Sequence, residues 1–251
     1  MDCIRVRSKL QIIDLSMEIH TGLVSFPRTM PAVVTELETH RRLAEMVGVT
    51  KEKYGVDEVN NHFAIIMGDH TGTHIDSWWH GNREAPIKAD QIPLEYCIGD
   101  GVVLDMSGKK AGEEILVEDL RGALKKIGYQ IKPRDIVLIR TDDATRNYDK
   151  PAYLSEHPGM TREGTLWLID QGVKVMGIDA PTFDLPFNVM LKEGKIWPAH
   201  MVMKEREYYH LENLINLDKI PKPFGFKFMC LPIKFKGTSA APVRAVAILE
   251  G

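Results

Sequence analysis

Short runs rich in Val, Ile, Leu and Phe punctuate the chain and constrain its fold more than any other feature. They are Gln11–Leu15, Phe63–Gly68, Gly101–Met106, Asp135–Thr141, Val173–Asp179, Phe226–Phe235 and Val243–Leu249. Most are bounded by Gly, Pro or charge, and they have the length and composition of buried strands. Helical patterns lie between them. Glu118–Ile127 spaces Leu120, Ala123, Leu124 and Ile127 along one face and then meets Gly128, a residue suited to a left-handed helix end. Thr161 can cap a second helix that stops before Gly172, with Leu166, Trp167 and Ile169 on its apolar face. Pro31–Lys53 also reads as helical. Strands alternating with helices argue for an α/β fold, and the strand-rich C-terminal third argues for a mixed sheet. No repeat, low-complexity tract or linker interrupts the 251 residues, so a single domain over 1–251 is expected.

Composition narrows the partners. Hydrophobic residues make up 44% and charged residues 27%, the balance of a soluble globular protein. A net charge of −3 gives no electrostatic footprint for nucleic acid or an anionic membrane, and neither is expected as a partner. No apolar run approaches the roughly 18 residues that cross a bilayer. Met1-Asp2-Cys3-Ile4-Arg5 has no apolar core, so no secretory signal is expected there. Cys3, Cys97 and Cys230 are odd in number and far apart, which speaks against a disulfide framework or a thiolate zinc site. A reducing, cytoplasmic compartment fits best.

Residues 69–80 carry the chemistry. They read Asp-His-Thr-Gly-Thr-His-Ile-Asp-Ser-Trp-Trp-His and hold three of the nine histidines. Thr71, Gly72, Thr73 and Ile75 make poor helix and good turn or strand. Residues two apart in a strand share a face, so His74 and Asp76 project together, and His80 can follow if the extension persists. Gly72 permits a bend that swings His70 toward the same point. Two imidazoles and a carboxylate suit Zn²⁺, Mn²⁺ or Fe²⁺ and leave a coordination position for water, whose pKa falls towards about 7. A histidine outside the ligand set could move protons. An isolated histidine is more often a surface or satisfied core residue, but a cluster built on Thr-Gly-Thr is more specific.

The segment resembles the His-x-Gly-Thr-His-x-Asp-x-Pro-x-His signature of the cyclase family, which includes kynurenine formamidases and isatin hydrolases. His70, Gly72, Thr73, His74, Asp76 and His80 match it, and Trp78 stands where the family has proline. The likeness runs over roughly residues 12–250. Ile13-Asp14-Leu15-Ser16 with Phe26-Pro27 is similar to the family's opening, Asp135–Thr141 to its central strand, and Gly177-Ile178-Asp179 to a later one. Pro242–Ala247 is similar to its closing strand.

The resemblance implies a swivelling β/β/α fold and assembly as a homodimer or homotetramer. It implies His70, His74 and Asp76 as ligands of a first divalent ion, Zn²⁺ or Mn²⁺. It implies Asp76, His200 and Glu212 as ligands of a second, and His80 as general base and then acid. His210 lies near these residues in sequence but outside the implied ligand set. The implied reaction is hydrolysis of a small amide, lactam or lactone. N-formylkynurenine, isatin or an unsaturated lactone would serve as substrate.

Trp78 and Trp79, and more weakly Phe26 and His62, are candidate walls of an aromatic pocket, with ordinary core or interface roles as the alternative. Asp69 could orient an imidazole, or sit in a plain turn. Asp179 and Asp184 around Ala180-Pro181-Thr182 admit a site role or turn chemistry. No Gly-x-Ser-x-Gly elbow supports Ser239 as a nucleophile, and no dinucleotide or phosphate loop is present. A lyase, cyclase or dehydratase on the same scaffold and a non-catalytic metal-binding protein are the rival readings.

Overall fold

The computed structural model describes residues 10–26, 29–148 and 150–249. Cys3, the N-terminal residues read for a signal, and Pro27 lie outside the described residues. In chain order the strands are β1 (Gln11–Asp14), β2 (Val33–Glu38), β3 (His62–Ile66), β4 (His74–Asp76), β5 (Ile98–Asp105), β6 (Glu114–Ile115) and β7 (Ile136–Arg140). They continue as β8 (Gly159–Met160), β9 (Val175–Ile178), β10 (Tyr209–Glu212), β11 (Phe226–Met229), β12 (Ala240–Pro242) and β13 (Val246–Leu249). Nine of them form one sheet in the order β1-β13-β11-β5-β7-β9-β10-β4-β12.

The middle of the sheet, β5-β7-β9-β10, is parallel, and both flanks are antiparallel. The expected mixed α/β sheet is what forms. Alternation builds two cores from the same strands, because successive side chains point to opposite faces. Val102, Leu104, Val137, Ile139, Met176 and Ile178 join one cluster, and Val103, Ile136, Leu138 and Val175 join the other.

Two helices cover the first face. Val117–Ile127 contributes Leu120, Ala123 and Leu124, and ends on Gly128 with φ 66°, as its sequence predicts. Arg162–Asp170 is capped by Thr161, whose hydroxyl accepts from Gly164 N at 3.0 Å. Its buried side is Leu168 and Ile169, while Leu166 and Trp167 are only partly covered. The second face is covered by the sheet itself. Leu15 and Ala247 from one flank and Ile75 from the other meet in a single cluster, so the sheet curls over its own core.

Three expectations change. Pro31–Lys53 is not one helix: Val33, Val34 and Thr35 are β-branched and lie in β2, and helix resumes only at His40–Met46 and Lys51–Tyr54. Phe63–Gly68 is a strand at its start but not a buried one; Phe63, Ile65 and Ile66 are all more than half exposed on the two-stranded β2-β3 sheet. Phe226–Phe235 leaves the sheet after Met229, ahead of Pro232, which has no N–H to donate and makes only an isolated bridge to Val243. No helix among the described residues is long and apolar enough to cross a membrane.

Candidate metal centre

The site forms where the sheet changes direction, at the antiparallel pairing of β10 with β4. Register sets His210 opposite Asp76 and Glu212 opposite His74, and alternation turns these four side chains to one side. His70 arrives from the preceding turn. Gly72 there has φ 66°, and a Cβ on it would come within 3.1 Å of Ile19, so the bend needs glycine. Its N–H donates to Ser25 Oγ at 2.6 Å. His80 comes from the short helix Trp78–Gly81, and His200 opens the 3₁₀ turn His200–Lys204.

Asp76 is the hub. Its Oδ1 lies 3.2 Å from His70 Nε2 and 3.3 Å from His74 Nε2. Its Oδ2 lies 3.1 Å from His210 Nε2, 3.5 Å from His200 Nε2 and 3.6 Å from His80 Nε2. Glu212 divides likewise, with Oε2 3.4 Å from His74 Nε2, and Oε1 3.5 and 3.4 Å from His200 and His210 Nε2. The six residues expected at the centre therefore converge, and His210, which sequence reasoning set aside, converges with them.

The outer partners set the tautomers. His74 Nδ1 donates to Gly72 O at 2.9 Å, and His70 Nδ1 to Asp69 Oδ1 at 3.0 Å. His200 Nδ1 is bound to Asp184 Oδ2, and that carboxylate also accepts from Ala199 N at 2.6 Å. With Nδ1 occupied, each of these rings turns an Nε2 lone pair inward, the arrangement of a metal-ligating imidazole. The ambiguity over Asp69 and Asp184 is resolved: both orient rings. Ser239 Oγ donates to Asp69 Oδ2 at 2.8 Å, behind His70. Asp179 lies apart from the centre and accepts from Thr141 and Asp142.

The electrostatics of the cluster suit a bound cation. Burial pushes Asp76 up, yet His80 and His70 foremost hold it well below the ordinary carboxylate range. Glu212 is held low against its burial by His210 and His74. Burial pushes His74 down, but Asp76 and Glu212 raise it to about 10. Neither Asp76 oxygen nor His74 Nε2 has an aligned hydrogen-bond partner, although all are buried. Bare buried carboxylates are costly, and a divalent ion in place of the protons would satisfy these lone pairs together. The donor set of imidazole and carboxylate, without thiolate, fits such an ion.

A cavity of about 440 Å³ opens onto this cluster. Phe26, Met30, Trp197 and Met201 form its apolar wall, and His70, His74, His80, His200 and Glu212 its polar end. Phe26 stands where the sequence suggested. Trp78, Trp79 and His62 do not line the cavity. Trp78 packs between the two cores and donates from its indole to Met203 O at 2.7 Å. Trp79 carries Lys88 over its ring at 4.6 Å. His62 sits on exposed β3 beside Glu38. The missed wall is Trp197, tilted against Phe26 at 5.6 Å and stacked on Phe187 at 5.7 Å, and its one signal was a tryptophan three residues before His200.

Residues 13–185 match the family model described as Cyclase. The chain is 31% identical over 182 residues to the kynurenine formamidase of Erythrobacter litoralis, covering 72% of this chain and 74% of that protein. The chain belongs to the cyclase family. The kynurenine formamidase of Paracidovorax citrulli is also 31% identical, over 186 residues, 74% of this chain and 79% of its own. Among solved structures, isatin hydrolase A from Labrenzia aggregata superposes with a TM-score of 0.79, at 24% identity, over 96% of this chain and 94% of that one. That likeness establishes the shared fold. As a cyclase-family member, the chain is a metal-dependent hydrolase acting on non-peptide C–N bonds.

Proposed function

We propose that the chain hydrolyses the amide bond of a flat aromatic molecule, an aryl formamide such as N-formylkynurenine before an isatin-type lactam. The cavity carries this reading: an apolar wall of Phe26, Trp197, Met30 and Met201 suits a ring, and the polar end suits its amide. His70, His74 and Asp76 would hold one zinc or manganese ion, and Asp76, His200 and Glu212 a second. Such ions supply Lewis acidity and lower the pKa of water. The chain's own residues do the rest. Burial and the imidazoles of His200 and His70 push His80 down to about 4 against the pull of Asp76, so it is neutral at pH 7. It takes a proton from the water that adds to the carbonyl carbon. It then gives that proton to the amine nitrogen as the C–N bond breaks. Asp69 and Asp184 keep His70 and His200 turned to the centre.

The test is a panel of an N-formyl arylamine, an isatin-type lactam, an aryl lactone and an aliphatic formamide, run on metal-loaded protein in ¹⁸O water. The aryl formamide is expected to turn over with kcat/KM of about 10⁴ M⁻¹s⁻¹ or more, placing one ¹⁸O in formate. Failure of the whole panel at full metal loading overturns the reading, and product without ¹⁸O replaces it with a lyase.

The chain is proposed to act as a homodimer or homotetramer. The β2-β3 ribbon exposes Leu37, Phe63, Ile65 and Ile66, and a two-stranded ribbon is marginal in water without cover. A second copy supplies that cover. Phe63→Glu with Ile65→Glu is expected to shift the mass by light scattering to a monomer; an unchanged mass rejects this surface. Cytoplasmic residence is proposed on Cys97 and Cys230, two buried free thiols.

A further inference from the structure

We propose that His210 is itself a metal ligand, and that Asp76, His200, His210 and Glu212 form a closed four-ligand site whose cation exchanges slowly. This rests on the metal-dependent reading above and goes beyond it, since the ligand set implied by the resemblance omits His210. The nearest atoms sort into two groups. Asp76 Oδ1 and Glu212 Oε2 face His74, with His70 beside the same Asp76 oxygen. Asp76 Oδ2 and Glu212 Oε1 face His200 and His210. The second group thus offers two carboxylate oxygens and two imidazole nitrogens from four residues, and the two Nε2 atoms are 3.2 Å apart. The ligand atoms of these four residues lie within 4.8 Å of one another.

A hydrogen bond alone accounts for His210 poorly. One proton on its Nε2 could satisfy a single acceptor among Asp76, Glu212 and His200. A cation at the convergence satisfies all of them. The ring is also held in place. It lies on β10 directly opposite Asp76, stacks on Phe183 at 5.0 Å and 17°, and has no exposed surface. Asp76, His200, His210 and Glu212 are all buried, with His200 and Glu212 at the edge of the cavity, whereas His70 is more exposed beside it. Four protein ligands complete a tetrahedral, retaining site, and an ion beside His70 would sit at the more accessible end of the cluster. The chain therefore carries one tightly held ion beside an exchangeable one.

The metal-loaded protein is challenged with excess chelator, and release is followed per chain. Two phases are expected, with one equivalent slow. X-ray absorption at the metal edge, taken after the fast equivalent is gone, is expected to read two imidazole nitrogens on the ion that remains. In His210→Leu and His210→Gln the slow phase is expected to accelerate by about 10- to 100-fold or vanish. The Co²⁺-substituted slow site is expected to change its visible spectrum. A slow ion with a single imidazole overturns the inference without recourse to any variant. So does a slow phase and Co²⁺ spectrum unchanged in both variants. Wild-type protein that binds metal with no slow equivalent overturns it and leaves the hydrolase reading standing. Protein that takes up no metal at all sinks both.

Discussion

Asp76→Asn is expected to empty the centre of metal and to lower kcat/KM by about 10³-fold or more, the scale of a lost electrostatic stabiliser. The substitution keeps the shape of the side chain and removes its charge. Asp76 lies within 3.6 Å of all five clustered imidazoles. Its loss leaves His70, His74, His200 and His210 facing one another with only Glu212 to balance a dication. The loss is not expected to unfold the chain, because β4 is held on both sides by β10 and β12 through backbone pairing. Elemental analysis beside a circular dichroism melt reads both consequences. A folded Asp76→Asn protein that retains its full metal would remove Asp76 from the ligand set.

His80→Ala is expected to behave in the opposite way, keeping its metal and losing about 10²- to 10⁴-fold in turnover, the range for a positioned proton-transfer group. The pH profile separates this role from a structural one. The neutral ring is the active form of the base. With His80 pushed down to about 4, that form persists well below the ordinary imidazole range. Wild-type kcat/KM is therefore expected to stay flat from pH 8 to near pH 5 and fall only below that, with metal content measured at each pH. The variant is expected to lose the acid limb. Normal turnover in His80→Ala would exclude the residue from the mechanism. An acid limb near 6.5 in the wild type would show that its ring is not depressed.

Much of this was legible locally. Short apolar runs in Gly101–Met106, Asp135–Thr141 and Val173–Asp179 located β5, β7 and β9, and Gly128 and Thr161 marked helix boundaries that hold in the fold. His74 and Asp76 share a face because residues two apart in any strand do. His70 joins them because Gly72 bends the chain. Such features depend on neighbours within a few residues. The errors came where that information was ambiguous. The Pro31–Lys53 stretch carries both β-branched residues and helix formers, and pairing with β3 decided between them. Trp78 and Trp79 sit beside His80, yet a helical turn points them away from it, into the core and out to Lys88.

The sequence by itself determined the α/β class, the caps and one half of the metal centre, because periodicity and turn chemistry are local. The family resemblance added His200 and Glu212, and tertiary structure alone decided what surrounds them, recruiting from far along the chain Asp184 to orient His200, Trp197 to face Phe26, and His210 to meet Asp76. Their contacts follow from the register of β10 against β4 and from the curl of the sheet. Both are set by how remote strands pack together, which no short window of residues encodes.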